Sequence, residues 1–379
     1  MRRRLVLFFT RGVSVRTWNM VGMLEREVAL YRCLQNMGWE VSFVTYGHRS
    51  DLDLADKLGG IRILCNEEGL SLEAYENRLV EQHASALRSC HVIKTNQAYG
   101  ASLAALVAER YQKPLVARCG YSWSLNAERE YGLESPQRRE ALRVEESVFK
   151  AATRVVVTTE AMAQDVVRRI PEAASKTVTI PNYVDTLAFC NGTGAPEPNS
   201  IVFVGRISRE KNLQALLDAI RPLPVTLTVI GEGPLRPGLQ AAYRDLNGKV
   251  RWEGNVPNST LPSCFNQTAL FTLPSLYEGH PKALLEAMSC GMAVIGADSP
   301  GIREIISHGH NGYVCPPDFK NLRRAIEVLL ADPALCQTLG RNAREYVTER
   351  FSLEKIAEME HRLLLEIARR GSPERGFRR

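Results

Sequence analysis

The chain has 379 residues, of which 45% are hydrophobic and 24% are charged, and its formal net charge is +6. This length excludes a single compact core and suits two domains of ordinary size, and the composition is normal for a soluble globular protein. The mildly basic balance gives no indication of nucleic acid binding, and no apolar run approaches the roughly 20 residues that a membrane-spanning helix needs.

The chain has nine cysteines, an odd number with irregular spacing and no C-x-x-C pair. This pattern is typical of reduced, buried cysteines and argues against a disulfide framework or a zinc site. We therefore expect a cytoplasmic protein. Residues 1–10 resemble a signal peptide only superficially, because their apolar core is short and no small-residue cleavage site follows. A first β-strand is the better interpretation.

Arginines are concentrated at both ends of the sequence: Arg2, Arg3 and Arg4 at one end, and five among residues 369–379 at the other. Solvated, frayed ends are the simpler interpretation. The alternative is electrostatic contact with an anionic membrane, which would place the protein at the inner face of that membrane.

Apolar runs of strand length alternate with helical patterns through the first half. The expected strands cover residues 5–10, 40–46, 61–64, 91–94, 114–118, 154–158 and 177–180, and the expected helices cover 23–37, 72–87, 98–111, 135–150 and 162–169. Strands interleaved with helices of this length predict a parallel sheet that is covered on both faces.

A stretch rich in Gly, Pro and Asn interrupts the alternation, which then resumes. The expected strands cover 201–204, 225–230, 250–252, 269–273, 293–297 and 312–314, and the expected helices cover 213–220, 235–246, 260–266, a stretch opening near 281, a short stretch from 302, 322–347 with a break near 332, and 352–369. We predict an α/β protein with two Rossmann-like doubly wound domains, 1–185 and 200–351, joined by a linker at 186–199. Such a pair usually binds its ligand in the cleft between the domains.

Residues 274–288 join a strand to a helix through a tight turn at Gly279. Pro281 falls in the first helical turn, where a missing N–H costs nothing, and seven residues separate Glu278 from Glu286. Free N–H groups and the positive end of the macrodipole make such a helix start an anion site. Phosphate is the expected ligand. The glutamates would accept hydrogen bonds from the hydroxyls of a sugar that is attached to this phosphate.

Two cations precede this stretch in the chain. Gly205 ends the strand 201–204, and Arg206 and Lys211 flank the start of the next helix. Residues just beyond the carboxyl end of a parallel strand lie on the ligand-binding edge of the sheet. Because Arg grips phosphate bidentately and Lys adds a point charge, the pair can neutralise a diphosphate without a metal.

These pieces, in this order, resemble the retaining glycosyltransferases of family 4, which have two Rossmann domains in the GT-B architecture. The matching segments are a phosphate-gripping motif at 205–212, a glycine turn at 231–234, a base-side segment at 254–256, the E-x7-E pair, and further matches up to residue 316. The resemblance implies that the helix in 352–379 crosses back to the N-terminal domain before a basic tail. It also implies that the cleft closes around the donor.

The resemblance assigns a role to each matching residue. The diphosphate would rest on the backbone of residues 279–284 between Arg206 and Lys211, Glu286 would bind the ribose, and Glu278 would stabilise positive charge on the donor sugar. Glu278, Arg206 and Lys211 form the implied catalytic set. The implied donor-binding residues are Gly22, Gly205, Arg206, Lys211, Gly233, Val256, Glu278, Gly279, His280, Pro281, Lys282, Ala283, Leu284 and Glu286. His280 either contacts the donor or fills the turn.

The first half departs from the family pattern. The family usually has a histidine after a middle strand, whereas this chain has Asn96 there, and Arg118 and Tyr121 stand where a histidine–glycine pair is frequent. These three residues are candidates for contacts to the acceptor or the sugar. Asp51 and Asp53 imitate a metal-binding D-x-D, but their polar surroundings favour a solvated loop, so we expect no metal site.

The sequence therefore predicts a metal-independent, retaining glycosyltransferase without a bound cofactor. It would use a UDP- or GDP-type sugar and a glycan, lipid-linked or small-molecule acceptor, in polysaccharide or glycoconjugate synthesis of the bacterial type. A nucleotide-sugar epimerase of the same shape and a non-catalytic nucleotide-sugar-binding subunit remain the alternatives. The missing histidine motivates the last of these.

Overall fold

The computed structural model describes residues 2–370, which divide into two compact units. Unit 1 comprises residues 2–19, 27–181 and 356–370, and unit 2 comprises residues 20–26 and 182–355. The segment 20–26 thus belongs to unit 2 although it lies early in the chain. The last helix lies mostly in unit 1.

Unit 1 is an α/β unit built on a single parallel sheet. Its strands are β1 (Arg3–Phe8), β2 (Trp39–His48), β3 (Arg62–Asn66), β4 (Val92–Thr95), β5 (Leu115–Cys119), β6 (Arg154–Val157) and β7 (Thr177–Thr179). Its helices are α1 (Val15–Met20), α2 (Leu24–Asn36), α3 (Leu72–Gln82), α4 (Ala84–Ser89), α5 (Ser102–Arg110), α6 (Trp123–Tyr131), α7 (Pro136–Ala151), α8 (Glu160–Arg169) and, late in the chain, α15 (Leu353–Arg370). α1 and α2 begin or end within the segment 20–26, and α15 begins in unit 2.

Unit 2 repeats this construction. Its strands are β8 (Glu197–Val204), β9 (Thr226–Ile230), β10 (Val250–Gly254), β11 (Thr268–Leu273), β12 (Ala293–Ala297) and β13 (Tyr313–Cys315). Its helices are α9 (Leu213–Ile220), α10 (Arg236–Ala242), α11 (Leu261–Gln267), α12 (Lys282–Ser289), α13 (Phe319–Ala331) and α14 (Pro333–Phe351). Ile201, Val202 and Phe203 of β8 are fully buried, because helices cover both faces of a parallel sheet.

The two sheets share one strand order. The first runs β3-β2-β1-β4-β5-β6-β7 and the second β10-β9-β8-β11-β12-β13, with every paired strand parallel. In such doubly wound sheets the order reverses beside the first strand, and ligands bind at the carboxyl ends of the two strands that flank this switch point. The switch points lie between β1 and β4 in unit 1 and between β8 and β11 in unit 2. The predicted α/β class with two doubly wound parallel sheets is confirmed.

Several local expectations need correction. The single helix expected over 72–87 is two helices, α3 and α4, and the short helix expected from 302 is a run of turns. Helices α1 and α6 lie where none was expected. Asp51 is fully buried rather than in a solvated loop, since its carboxylate caps α1 by accepting hydrogen bonds from the backbone of Val15 and Arg16. Residues 371–379, which include most of the basic tail, lie outside the described residues.

Within residues 2–370, no helix combines the length and the apolar character that a membrane span requires.

Candidate functional site

The turn that follows β11 lies at the switch point of unit 2, beside the loop that follows β8. Two backbone hydrogen bonds hold it in place: Leu276 N–H donates to the carbonyl of Glu210, and Glu278 N–H donates to the carbonyl of Pro300, at 2.8 and 3.0 Å. The fold therefore brings the loop that carries the predicted cations to the turn that carries the predicted carboxylate.

Lys211 and Glu278 form an ion pair at the centre of this site. Lys211 Nζ lies 2.5 Å from Glu278 Oε1, and both side chains are mostly buried. The side chain of Arg206, in the loop that follows β8, is exposed and makes no ion pair within residues 2–370. A partly buried cation paired with one carboxylate and a second cation without one leave the site with positive charge that an anion can neutralise.

Glycines pack the loops of the site backbone against backbone. Gly231 has φ +132°, and a Cβ added there would overlap the carbonyl oxygen of Gly205. A Cβ on Gly233 would overlap the backbone of Ile207, whose N–H donates to the carbonyl of Glu232 at 2.9 Å. The loop after β8 therefore rests on the loop after β9 at a separation that only glycine permits.

The same restriction applies beneath Glu278. Gly301 has φ +81°, and a Cβ there would lie 2.5 Å from the carbonyl oxygen of Glu278 and 2.6 Å from that of Gly279. Ser299 Oγ donates to the carbonyl of Ser275 at 2.8 Å and anchors the start of the turn. The carboxylate of Glu278 is thus presented from a turn supported along its whole length.

Helix α12 starts at this turn without a side-chain cap. Its N-cap position is Pro281, which has no hydroxyl or carboxylate to accept from the first-turn N–H groups. Residues Lys282, Ala283 and Leu284 therefore offer backbone N–H groups, with the positive end of the helix macrodipole behind them. The predicted helix start is therefore present, although Pro281 lies at the N-cap rather than in the first turn. Uncapped N–H groups at such a start can bind an anion.

Glu286 lies on α12, is 1% exposed, and is held by two side chains. Its Oε1 accepts hydrogen bonds from Asn258 Nδ2 at 2.9 Å and from Arg26 Nη1 at 3.2 Å. Its Oε2 is buried and has no hydrogen-bond partner. A buried carboxylate oxygen without a partner costs free energy, so it indicates a place where a ligand hydroxyl would donate.

The segment 20–26 covers the neighbouring backbone of unit 2. Asn258 N–H donates to the carbonyl of Gly22 at 2.9 Å, and a Cβ on Gly22, whose φ is +76°, would overlap the carbonyl oxygen of Val256. Tyr183 Oη donates to the carbonyl of Arg26 at 2.6 Å. The segment therefore forms one wall beside Val256 and Glu286, with Gly22 at the point of closest approach.

His280 and Lys282 face the side of the turn towards Tyr183 and Phe351. The His280 ring is 6% exposed and packs edge-on against Phe351 with 4.9 Å between ring centroids, while its carbonyl accepts from Asn182 Nδ2 at 2.6 Å. Lys282 Nζ lies 5.6 Å from the centre of the Tyr183 ring. Of the two readings left open for His280, this packing agrees with the one in which it fills the turn.

Unit 1 places two of the acceptor-side candidates near its own switch point. Asn96 follows β4 and donates to Thr10 Oγ1, beyond the end of β1, at 3.4 Å. Tyr121 follows β5, is half-buried, and burial raises the pKa of its phenol to about 12. Both lie at the edge of the sheet where doubly wound folds bind ligands.

Arg118 instead joins a buried charge cluster with Lys94 and Glu360. Lys94 Nζ lies 2.7 Å from Glu360 Oε1, Arg118 Nη1 lies 3.8 Å from the same oxygen, and the Lys94 and Glu360 side chains are fully buried. Burial lowers the pKa of Lys94, and Glu360 opposes that shift. Because Glu360 belongs to α15, this cluster ties the last helix to the sheet of unit 1, which favours a structural role for Arg118.

Sequence reasoning missed Arg26, Asn258 and Glu360. Glu360 carried a usable signal, because it shares the apolar helical face that Ile356, Leu364 and Ile367 bury. Arg26 and Asn258 carried none, since each looks like an ordinary polar residue in its own stretch of sequence. Among residues 2–370, no group of three His, Cys, Asp or Glu residues is arranged to hold a metal ion.

Two family models match the chain and together cover most of it. The model of glycosyl transferases group 1 matches residues 191–346, and the model of glycosyltransferase family 4 matches residues 28–187. The first match contains the turn, the cations and the glutamates described above.

Characterised relatives match over part of their length. Glycogen synthase of Mycobacterium tuberculosis is 26% identical over 232 residues, which is 58% of this chain and 55% of the relative. Alpha-maltose-1-phosphate synthase of Mycolicibacterium smegmatis is 27% identical over 60% of this chain and 66% of its own. Alpha-D-kanosaminyltransferase of Streptomyces kanamyceticus is 29% identical over 42% and 43%. The matched region spans about half the length of the first of these relatives.

Solved structures with the same fold match nearly the whole chain. Sucrose-phosphate synthase from Thermosynechococcus elongatus superposes with a TM-score of 0.77 at 22% identity, over 97% of this chain and 99% of its own. HepE from Anabaena, in complex with UDP-glucose, superposes with a TM-score of 0.77 at 17% identity, over 96% and 99%. These structures establish the fold.

Proposed function

This chain belongs to glycosyltransferase family 4 and has its GT-B fold, and from that premise we propose that it is a retaining hexosyltransferase. The proposed donor is a UDP- or GDP-type nucleotide sugar, and the acceptor is a glycan, a lipid-linked molecule or a small molecule. The proposed setting is synthesis of a bacterial-type polysaccharide or glycoconjugate in the cytoplasm, at the inner face of the membrane.

The observation that carries the proposal is the Lys211–Glu278 ion pair in the turn that leads to the uncapped start of α12, with Arg206 in the loop that also carries Lys211. Two cations, free backbone N–H groups and a helix macrodipole all serve the same chemistry, which is binding of a diphosphate. Because Glu278 Oε1 lies 2.5 Å from Lys211 Nζ, a carboxylate would lie next to that diphosphate. Glu278 would then face the sugar that is attached to the diphosphate.

The unpartnered oxygen of Glu286 supports the nucleoside half of the donor. A ribose hydroxyl would donate to Oε2, while Arg26 and Asn258 hold Oε1. Val256, beside Gly22, would face the base. Structures of HepE, whose fold is the same, contain UDP and UDP-glucose, which agrees with a uridine or a comparable nucleotide here.

The proposed reaction breaks the bond between the anomeric carbon and the β-phosphate oxygen and forms a bond from that carbon to the acceptor oxygen on the same face. The acceptor proton passes to the leaving phosphate oxygen, so the step needs no protein base. Arg206, Lys211 and the first-turn N–H groups of α12 stabilise the charge of the leaving diphosphate. Glu278 stabilises positive charge on the sugar ring.

These groups also support the proposal that the reaction is independent of metal ions and cofactors. Arg206 and Lys211 supply two positive charges at the position proposed for the diphosphate, where other nucleotide-binding enzymes use a divalent cation. Adding EDTA to the assay tests this point directly. Activity that needs an added divalent cation would contradict it.

On the acceptor side, Asn96 and Tyr121 remain the proposed contacts. Both lie at the carboxyl edge of the sheet in unit 1, whereas Arg118 is engaged with Glu360. Substitution of either residue would raise the KM for an acceptor without changing the affinity for nucleotide. Arg2, Arg3 and the arginines among residues 369–379 are the proposed contacts with anionic lipid.

Incubation with a panel of UDP- and GDP-sugars, followed by separation of the products, tests the function. Slow release of free nucleoside diphosphate, accelerated by an acceptor, would support a transferase. An altered sugar on intact donor would show an epimerase instead. Thermal stabilisation by a nucleotide sugar without turnover, with or without membrane lipid, would show a binding subunit.

A further inference from the structure

A cavity of about 470 Å³ lies in unit 1 at the amino-terminal ends of β1, β2 and β3. The loops that carry Asn96 and Tyr121 follow the carboxyl ends of the strands, so this cavity lies at the other end of the sheet. Four residues line it from the strands: Arg4, Glu40, Ser42 and Arg62. Arg2, which precedes β1, lines it as well. Ser85 and Ser89 line it from α4.

Arginines are unusual at these positions of a parallel sheet. β1 lies inside the sheet between β2 and β4, and strands in such positions normally read as continuous apolar runs because both faces are covered. Arg4, near the start of β1, is exposed, whereas Leu5, Val6 and Leu7 that follow it are buried. Arg4 pairs in register with Glu40, and Ser42 pairs with Arg62. The exposed amino-terminal end of the sheet therefore presents polar and cationic side chains to the cavity.

Positive charge is in excess in this cavity. Among the described residues, Glu40 is the only carboxylate that lines the cavity. It lies 3.0 Å from Arg4, and because both side chains are about half exposed, this ion pair contributes little to stability. Within residues 2–370, Arg2 and Arg62 make no ion pair. Burial and the nearby cations lower the pKa of His91, whose Nδ1 accepts from the backbone N–H of Arg4.

We propose that this cavity binds a phosphate-bearing small molecule. The guanidinium groups of Arg4 and Arg62 would grip the phosphate oxygens, and the hydroxyls of Ser42, Ser85 and Ser89 would donate to them. Guanidinium forks match phosphate geometry, and the volume lies within the range of small-ligand sites. The site is distinct from the proposed donor site, which unit 2 builds at the switch point of its own sheet.

The lining argues against a nucleic acid as the ligand. Trp39 is the one aromatic residue that lines the cavity, but its side chain is 2% exposed and its Nε1 donates to His361 Nδ1 at 3.1 Å. It therefore offers no open face for base stacking. The same phosphate chemistry has two sources, a soluble phosphate ester or a phospholipid head group, and the experiment distinguishes them.

Calorimetric titration with inorganic pyrophosphate tests the site. The protein would carry Arg206→Gln and Lys211→Gln, so that the proposed donor site no longer contributes. We expect saturable binding in that background and a loss of at least tenfold in affinity when Arg4→Gln and Arg62→Gln are added. Arg139→Gln with Arg143→Gln, which removes the same charge from exposed positions of α7, is the matched control and should leave the affinity unchanged.

Unchanged affinity after Arg4→Gln and Arg62→Gln, or an equal loss in the control, would overturn the proposal. Co-sedimentation with phosphatidic acid vesicles, compared with phosphatidylcholine vesicles, distinguishes the source. Vesicle binding that depends on Arg4 and Arg62, without pyrophosphate binding, would overturn the small-molecule source and assign the cavity to a lipid head group. None of these outcomes depends on sugar transfer, so the proposed function is tested separately.

Discussion

Replacement of Arg26 by glutamine tests whether the segment 20–26 is part of the nucleotide site. Arg26 donates to Glu286 Oε1 at 3.2 Å, and Asn258 donates to the same oxygen at 2.9 Å. With Oε1 held on one side, Oε2 is left for a ribose hydroxyl. Without Arg26 only Asn258 holds the carboxylate, which then rotates more freely, and part of the binding energy is used to restore its orientation.

The expected magnitude follows from the geometry of this contact. A hydrogen bond to a charged group contributes about 1.5–3 kcal/mol. The distance of 3.2 Å and the 18% exposure of the Arg26 side chain place this bond at the lower end of that range. A loss of about 1.5 kcal/mol corresponds to about tenfold weaker nucleotide binding. Because Arg26 touches no reacting atom in the proposed mechanism, kcat should change little.

Calorimetric titration with UDP and GDP measures this effect, and Arg26→Lys should recover part of the loss because it keeps the charge. Asn258→Ala should weaken binding as well. The double variant should lose less than the sum of the two, since both side chains act on one oxygen. Arg16→Gln removes an equal charge from an exposed side chain of α1 and is the control. If Arg26→Gln folds normally and binds nucleotide as the wild type does, the proposed role of Arg26 is wrong.

Three further predictions follow from the same structure. Glu286→Ala should weaken nucleotide binding about tenfold or more in calorimetry. Glu278→Ala should reduce kcat by about two orders of magnitude with little change in nucleotide affinity. Equal and negligible effects of the two substitutions in calorimetry and turnover assays would contradict the site. Gly233→Ala should lower the melting temperature and the nucleotide affinity because its Cβ meets the backbone of Ile207, whereas Gly238→Ala, which points into open space, should do neither. Burial lowers the pKa of His83 from 6.5 to about 4, so stability should fall as the pH drops from about 6.5 towards 4, by at most about 3 kcal/mol. Denaturant unfolding of His83→Gln across that range should show a smaller fall, and an identical pH profile would refute the assignment.

The sign of the His83 effect follows from proton binding in the two states. The folded protein keeps His83 neutral down to about pH 4, whereas the unfolded chain takes up a proton near pH 6.5. Between these values the unfolded state binds more protons, so acid favours unfolding. The contribution of His83 is complete above pH 6.5 and is lost at about pH 4.

The fold could be predicted from the sequence because two periodicities alternate along most of the chain. Strands such as β8 and β12 contain short apolar runs, and helices such as α13 keep one apolar face. Errors occurred where a side chain overrides the local pattern. The polar sequence around Asp51 predicts a solvated loop. Asp51 is nevertheless buried, because distant backbone N–H groups and Thr45 Oγ1 donate to its carboxylate.

The position of the segment 20–26 could not be predicted in this way. Its assignment to unit 2 depends on a backbone hydrogen bond from Asn258 to Gly22 and on the ion pair of Arg26 with Glu286. Both join residues more than 230 positions apart, and no local periodicity records them. Resemblance to the family implied that Gly22 binds the donor, but it did not identify Arg26.

The difference between the proposed donor residues and the proposed acceptor residues has a physical cause. The donor side is built by backbone, since Gly231, Gly233 and Gly301 each lie where a Cβ would overlap a carbonyl group, and the phosphate would meet N–H groups of α12. A close contact between two backbone segments restricts the residue type strongly, because only glycine permits it. The motif can therefore be recognised in the sequence. The proposed acceptor contacts are instead side chains such as Asn96 and Tyr121. Many residue types can make such contacts. The sequence therefore indicates the proposed donor-binding residues with far less ambiguity than the proposed acceptor-binding residues.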